Sequence, residues 1–447
     1  MTPSERRVTG TLSAIYILRM LGLFLLLPVL ALYAEGLPGA TPAMIGLALG
    51  MYGLTQAVCG IPFGSASDRY GRKPVITFGL LLFAAGSLLA AAAHSVTGII
   101  AGRALQGAGA VAAPIMALLA DLLRPEQRTK GMAAIGISIG GAYLVALPLG
   151  PLLGAWLTVP GIFLLIAVLA TAMIGLLWLL VPTPVTHRPA SQPAGQFRAM
   201  LANPQLLRLD FSIMALHILM TATFVALPPL LRDNLDLPAA EHPWLYLPTV
   251  LLSVVAMVPL IIYAERRHRL KPVFLGMIGL LGGGTLLLLE GRHSLAGVAI
   301  GLLAFLIAFN VLEATLPSMM SRLAPMTGRG AAMGVYSTAQ FLGAFIGGAG
   351  AGWMRGHYGA QGVFLAGIGV CAVWFAVAFG LQPPAALQTR LIAVGDISAE
   401  RARGLTGELM ALVGVAEAVV IPEEGVAYLR VDAKRFEPAS LDRFIVA

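Results

Sequence analysis

Charge is scarce in this chain of 447 residues: Asp, Glu, Lys and Arg together make up 11%, against about 25% in an average soluble domain. Cysteine is scarcer still. Cys59 and Cys371 stand alone and far apart in apolar surroundings, which excludes a disulfide framework and any thiolate metal-ligand spacing. No phosphate-cradling Gly-rich loop of the P-loop type is present, which argues against an ATP-driven pump. Soluble, disordered and coiled-coil classes fail together, because 58% of the residues are apolar and the mean hydropathy is +0.86. What is abundant is apolar runs of membrane length, each near the 20 or so residues that a spanning helix requires.

The formal net charge of +8 reports topology rather than a nucleic-acid partner. Of 29 basic residues, 17 fall in the N-terminus and in alternate connections, including Arg69, Arg72, Lys73, Arg124, Arg128, Arg266 and Arg322. Only Arg232, Arg292 and Arg355 lie in the opposite set of connections. This positive-inside asymmetry places both termini and the central loop in the cytoplasm. Arg19 interrupts the first apolar run and many runs follow it, so that run reads as a first span and not as a cleaved signal peptide.

Twelve spans are expected: residues 8–35, 42–67, 73–94, 97–123, 128–157 and 161–181, then 205–231, 242–264, 272–290, 295–323, 329–357 and 361–381. The sequence therefore divides into a six-helix half (1–182), a Pro-punctuated cytoplasmic linker (183–204), a second six-helix half (205–385) and a charged tail (386–447). The halves echo each other. Arg72-Lys73-Pro74-Val75 is matched by Leu270-Lys271-Pro272-Val273, and Gly131-Met132-Ala133 by Ala332-Met333-Gly334, each about 200 residues on. Such pairing is the trace of a duplicated transporter with its site between the halves. The tail reads as a strand (390–394), a helix capped by Ser398 (399–413), a hairpin (417–421 with 426–431) and a short helix (439–445), most of a ferredoxin-like α+β module.

The strongest local signal is Gly64-Ser65-Ala66-Ser67-Asp68-Arg69-Tyr70-Gly71-Arg72-Lys73, between spans 2 and 3. Asp68 suits the positive N-terminal end of a neighbouring helix, and Arg72 can bridge it to Asp121 at the end of span 4. Topology alone accounts for Arg69 and Lys73, but not for Asp68 or the paired glycines Gly64 and Gly71. Within the membrane an ionised group costs about 2.5 to 3.5 kcal/mol on insertion scales and marks function by default. Arg19, Arg103 and Glu313 are such groups, with His217 a fourth candidate. Glu313 reads as a protonatable coupling carboxylate, Arg19 as a cavity charge or a structural pair, and His217 as a titrating group or a structural hydrogen bonder. Tyr52, Gln56, Tyr143, Asn310 and Gln340 are mid-span polar groups placed to line a cavity. Gly140, Gly150, Pro151 and Gly154 in span 5 serve either transport or close helix packing. Gly136-Ile137-Ser138-Ile139-Gly140 matches a hydrolase nucleophile elbow in letters only, since it lies inside a continuous span.

These segments resemble the major facilitator superfamily: residues 64–73 its motif A, Arg103-Ala104-Leu105-Gln106-Gly107 its motif B, and the span 5 glycines the motif C of its drug:proton antiporter branch. Arg19-Met20-Leu21-Gly22, Gly53-Leu54-Thr55-Gln56-Ala57-Val58, Gly334-Val335-Tyr336-Ser337-Thr338-Ala339-Gln340 and the appended tail are similar to the YajR-type family of bacterial inner-membrane transporters, whose C-terminal module is the YAM domain. The resemblance implies an all-α polytopic fold of twelve transmembrane helices with a small α+β appendage, alternating access, and proton-coupled efflux of an unidentified small molecule. Span 2 held against span 11 by motif A would favour the outward-open state. The loop at 265–271 is a degraded motif A without its glycines, so no second latch is expected there. Lipid, protons and a small-molecule substrate are the expected partners of a monomer in the inner membrane, with no cofactor, metal or enzymatic activity. The competing reading is a non-transporting sensor whose cytoplasmic module reads a ligand.

Overall fold

Helix starts follow from capping residues placed directly before proline or apolar runs. Thr2 and Glu5 form a reciprocal capping box, Thr41 and Asn203 cap helices that open on Pro42 and Pro204, and Ser95 and Ser294 accept from backbone amides three residues on. The computed structural model describes residues 1–183, 200–267, 269–325, 329–382, 387–395, 397–422, 425–432, 435–437, 440–441 and 444. Most of the expected linker at 183–204 thus lies outside the described residues.

The membrane-length helices of the first half are α1 (Pro3–Phe24) continued by α2 (Leu27–Glu35), α3 (Pro42–Tyr70), α4 (Arg72–Ala91), α5 (Val96–Ala108) continued by α6 (Ala112–Leu122), and α7 (Pro125–Leu180). Those of the second are α8 (Pro204–Leu235), α9 (His242–Arg266), α10 (Leu270–Glu290), α11 (Leu295–Leu323) and α12 (Arg329–Phe379). Pro28 breaks the first span and Gly109 the fourth. At 1.5 Å per residue α7 would run about 84 Å, far beyond a bilayer. One non-helical residue divides it: Thr158, at φ 61 and ψ 170. Gly359 divides α12 at φ 66 and ψ −167. Counted so, the described residues contain twelve spans in two sets of six, and the two reversals occupy corresponding places in the repeat.

The seam between the sets is built on glycine. A Cβ at Gly46 would strike the backbone of Gly348 and Gly352, one at Gly50 would lie 2.8 Å from the Phe345 carbonyl, and one at Gly53 would strike that of Phe341. Helices α3 and α12 therefore meet backbone to backbone along this stretch. The close contact is confined to one end of the bundle, here the far end. Towards the opposite end, which carries the 64–73 loop and is called the basic end, a Cβ on Gly60, Gly136, Gly140, Gly141 or Gly334 would meet nothing within 4 Å.

After the bundle come β1 (Leu387–Ala393), α13 (Ala399–Met410), β2 (Val415–Ile421) and β3 (Val426–Asp432). The sheet order β1-β3-β2 is antiparallel throughout, with Arg390 opposite Leu429 and Val419 opposite Tyr428. Leu405 and Leu409 of α13 pack on Ile392, Ala427, Leu429 and Val431 of the sheet. This is a small α+β unit with a split β-α-β at its centre. Strand β1 starts three residues earlier than the alternation of 390–394 suggests, and α13 stops at Met410 because Gly414 turns at φ 85. Of the helix expected over 439–445, the described residues 440, 441 and 444 are in 3₁₀ conformation. Buried Arg430 of β3 reaches the bundle, donating Nη2 to the Ser321 carbonyl at 2.9 Å and Nη1 to that of Arg322 at 3.0 Å, the open acceptors at the end of α11.

Thr158 is β-branched in a region that favours glycine, a cost of about 1 to 3 kcal/mol. Thr158→Gly is expected to stabilise the bundle by about 1 kcal/mol after glycine's extra chain entropy is offset. A thermal midpoint of the solubilised protein that falls would contradict this.

Candidate functional site

The 64–73 loop is organised around one guanidinium. Gly71, at φ 97, makes the sharp turn that ends α3 and caps α4. Arg72 then donates Nε to Asp121 Oδ2 at 2.9 Å and Nη1 to Ser67 Oγ at 2.8 Å and to Asp68 Oδ1. Three elements are joined by it: α3, α4 and α6. Lys73 is buried, with Nζ 4.9 Å from the Trp178 ring centre, so it pins α4 to α7 as well as marking topology. Arg69 lies over Tyr70, and a Cβ on Gly64 would meet Ala113 at an ordinary 3.6 Å. Among the described residues the hydrogen bond and ion pair of Asp68 go to Arg72.

Inside the first half, Arg19 donates to Gln56, and Arg103 donates Nη1 to Gln106 Oε1 at 3.0 Å while Gln106 donates to Ser87 Oγ at 2.8 Å. Tyr52 lies between the two arginines. In span 5 a Cβ on Gly150 would strike the Leu25 carbonyl and one on Gly154 would lie 3.4 Å from Val29, so these two bring α7 against the first span, with Pro151 buried between them; a Cβ on Gly140 would meet nothing within 4 Å. Ser138 donates to the Ala134 carbonyl at 2.7 Å within an unbroken helix, which is no nucleophile elbow.

The second half holds the acidic group. Gln340 of α12 donates from Nε2 to Glu313 Oε1 at 3.2 Å and to His217 Nε2 at 2.9 Å. His217 Nδ1 donates to the Ile213 carbonyl at 3.2 Å, so the hydrogen sits on Nδ1. Glu313 Oε2 is 4.0 Å from His217 Nε2 and has no hydrogen-bond partner among the described residues. Asn310, one turn away, donates to Ser253 Oγ at 2.8 Å and joins α11 to α9. Tyr143 bridges the halves: its hydroxyl faces Met220 Sδ at 3.7 Å and its ring centre lies 5.1 Å from that of Phe309.

The candidate residues thus fall into two groups. Glu313, His217 and Gln340 come together, whereas Arg19 and Arg103 lie in the other half with Tyr52 and Gln56. Arg19 has no acidic partner among the described residues, and its hydrogen bond goes to Gln56. Two features escaped the sequence reading. Asp210, on α8 two turns before His217, is buried with Oδ1 lacking a hydrogen-bond partner among the described residues; the i, i+7 spacing was its signal. At the far end Glu35 accepts from Arg355 Nη2 at 2.6 Å and pairs with Arg232 Nη2 at 2.8 Å, joining the end of the first span to α8 and α12. Both arginines belong to the three that broke the positive-inside pattern, and that exception was the clue.

Two six-helix sets that repeat one another, packed backbone to backbone at one end and carrying polar groups within their helices, have the architecture of a membrane transporter. The profile of the Major Facilitator Superfamily matches residues 12–348 and 209–396, and the chain belongs to that superfamily. The Inner membrane transport protein YajR of Escherichia coli K12 is 47% identical over 444 residues, 98% of this chain and 97% of that protein, so the match runs through the α+β unit. Multidrug resistance protein MdtH of Aeromonas salmonicida is 28% identical over 77% of this chain and 87% of its own. Among solved structures, a bacterial homologue of the human lysosomal transporter Spinster, inward-facing and occupied, has a TM-score of 0.70 at 15% identity over 85% of this chain and 97% of that one, a likeness of fold.

Glu35→Gln leaves two arginines facing a neutral amide across the seam. Hydrogen exchange over residues 36–50 and 345–357 is expected to accelerate about tenfold, the effect of roughly 1.4 kcal/mol lost from charged hydrogen bonds. Exchange as slow as in the wild type would show that the pairs do not hold the far end shut.

Proposed function

We propose that the chain is a proton-coupled efflux transporter that alternates between inward-open and outward-open states. The observation that carries the coupling is Glu313, a carboxylate within the membrane whose Oε2 lacks a hydrogen-bond partner among the described residues while Oε1 is held by Gln340. Gln340 lies on α12, the helix that meets α3 across the seam, so a change at Glu313 acts on the element that the rocking motion must move. By the positive-inside rule the basic end faces the cytoplasm, and the packed far end then makes this conformation inward-facing. Glu35 with Arg232 and Arg355 closes the far gate in this state. The Asp68–Arg72–Asp121 cluster is kept assembled within the first half, ready to engage α12 when the basic end closes. The relative named as a multidrug resistance protein supports export as the direction.

The C-terminal unit, which we take for a ferredoxin-like module, is tied through Arg430 to the end of α11, the helix that carries Glu313. That contact gives the module a route to the coupling group.

In proteoliposomes with a trapped pH dye, tested against amphipathic ions, sugars and peptides, at least one solute is expected to evoke proton flux that Glu313→Gln abolishes. Asp68→Asn is expected to lower the rate with insertion unchanged. Wild-type pH dependence in Glu313→Gln would remove Glu313 from the mechanism, and wild-type rates in Asp68→Asn would remove the cluster.

A further inference from the structure

The first half buries positive charge for which the described residues supply no counter-charge. Arg19 is 2% exposed and Arg103 is fully buried. Their guanidinium carbons lie 5.9 Å and 5.0 Å from the centre of the Tyr52 ring, on a side chain 1% exposed. Arginine stays ionised in proteins, and a buried ion without a partner is strongly destabilising. Acceptors within reach are the neutral amides of Gln56 and Gln106, each taking one donor. Arg19 Nε and Nη1, Arg103 Nε and Nη2, and the Tyr52 hydroxyl are buried with no hydrogen-bond partner among the described residues. Cation–π contact with Tyr52 offsets part of the cost and satisfies none of the N–H groups.

The cluster is buried beside the packed stretch of the seam. Tyr52 lies on the α3 face that meets α12, its ring centre 6.1 Å from that of Phe341, and Gly53 beside it is the last glycine of the packed stretch. One turn on is Gln56, and beyond it the seam parts. Unpaired donors around an aromatic face, carrying two positive charges, match the trigonal or tetrahedral oxygens of a carboxylate, sulfonate or phosphate.

We propose that Arg19 and Arg103, both against the Tyr52 ring, form a subsite for the oxyanion group of an organic anion, so that the exported solutes carry a negative group. The transport reading above is presupposed only for the word exported; the binding itself is independent of it. Glu313 and His217 lie in the other half, which leaves the anion and the coupling group on opposite sides of the seam.

The test uses the full chain in phosphatidylcholine nanodiscs and two probes on one ring system, naphthalene-2-sulfonate and trimethyl(2-naphthyl)ammonium, measured by equilibrium binding. The wild type is expected to bind the sulfonate saturably and more tightly than the cation. Arg19→Gln and Arg103→Gln are each expected to weaken sulfonate binding by about tenfold or more, the loss for one partner of a buried charge pair. Arg19→Lys and Arg103→Lys keep the charge and are expected to retain more of that affinity than the glutamine variants. Cation preference in the wild type, which needs no variant to fold, overturns the proposal; so does sulfonate affinity unchanged in well-folded glutamine variants, which would leave both arginines as pins on Tyr52. Sulfonate binding without flux of any solute would uphold the subsite and sink the transport reading. Flux of solutes without sulfonate binding would do the reverse.

Discussion

The contact on which the rest depends is the backbone-to-backbone meeting of α3 and α12. Where Gly46, Gly50 and Gly53 face Phe341, Phe345, Gly348 and Gly352, no side chain separates the helices, and a methyl group at Gly46 or Gly53 would collide with main-chain carbonyls. Lipid is as apolar as leucine, so helices in a membrane gain little from apolar burial against each other and rely on close van der Waals packing and polar contacts. A glycine seam of this kind can part and re-form without exposing greasy surface to water. That property suits a joint about which two halves move.

Charge decides how the joint is held at each end. At the far end Glu35 draws in two arginines from the opposite half, and the pairs exist only while the seam is shut. At the basic end Arg72 gathers Asp68, Asp121 and Ser67 within one half, a cluster that survives opening. A device of the first kind biases one state directly. A device of the second kind keeps charged groups satisfied while they wait for a partner, which avoids leaving a carboxylate bare at the membrane edge. Between them, among the described residues, the first half holds cations without acidic partners and the second an acid held by one amide, so the polar chemistry is split across the seam.

The fold was legible because it rests on crude quantities. Run length, alternating basic loops and the repeat near 200 residues locate the spans, and the reversals at Thr158 and Gly359 fall in the gaps left between residues 157 and 161 and between 357 and 361. Within the motif loop the Arg72 bridge to Asp68 and Asp121 could also be read, since it depends on spacing along short connections. The division of Arg19 and Arg103 from Glu313 could not, because partner choice in a bundle is set by helix rotation and packing, which hydropathy does not encode. Nor could the place of Asp68 relative to α12, which depends on the conformational state and not on the residues alone. Glu35 went unread for a related reason: its partners lie about 200 and 320 residues away, and nothing local marks a long-range pair.

Distances at both ends of one molecule give the most direct test of rocking about this seam. With Cys59 and Cys371 replaced by alanine, spin labels are placed at Pro38 and His357 for the far end, and at Tyr70 and Gly330 for the basic end, all four exposed. Double electron–electron resonance across a pH series should show the two distances moving in opposite senses, the far pair lengthening as the basic pair shortens. Two pairs that stay fixed, or that lengthen and shorten together, would contradict alternating access about α3 and α12.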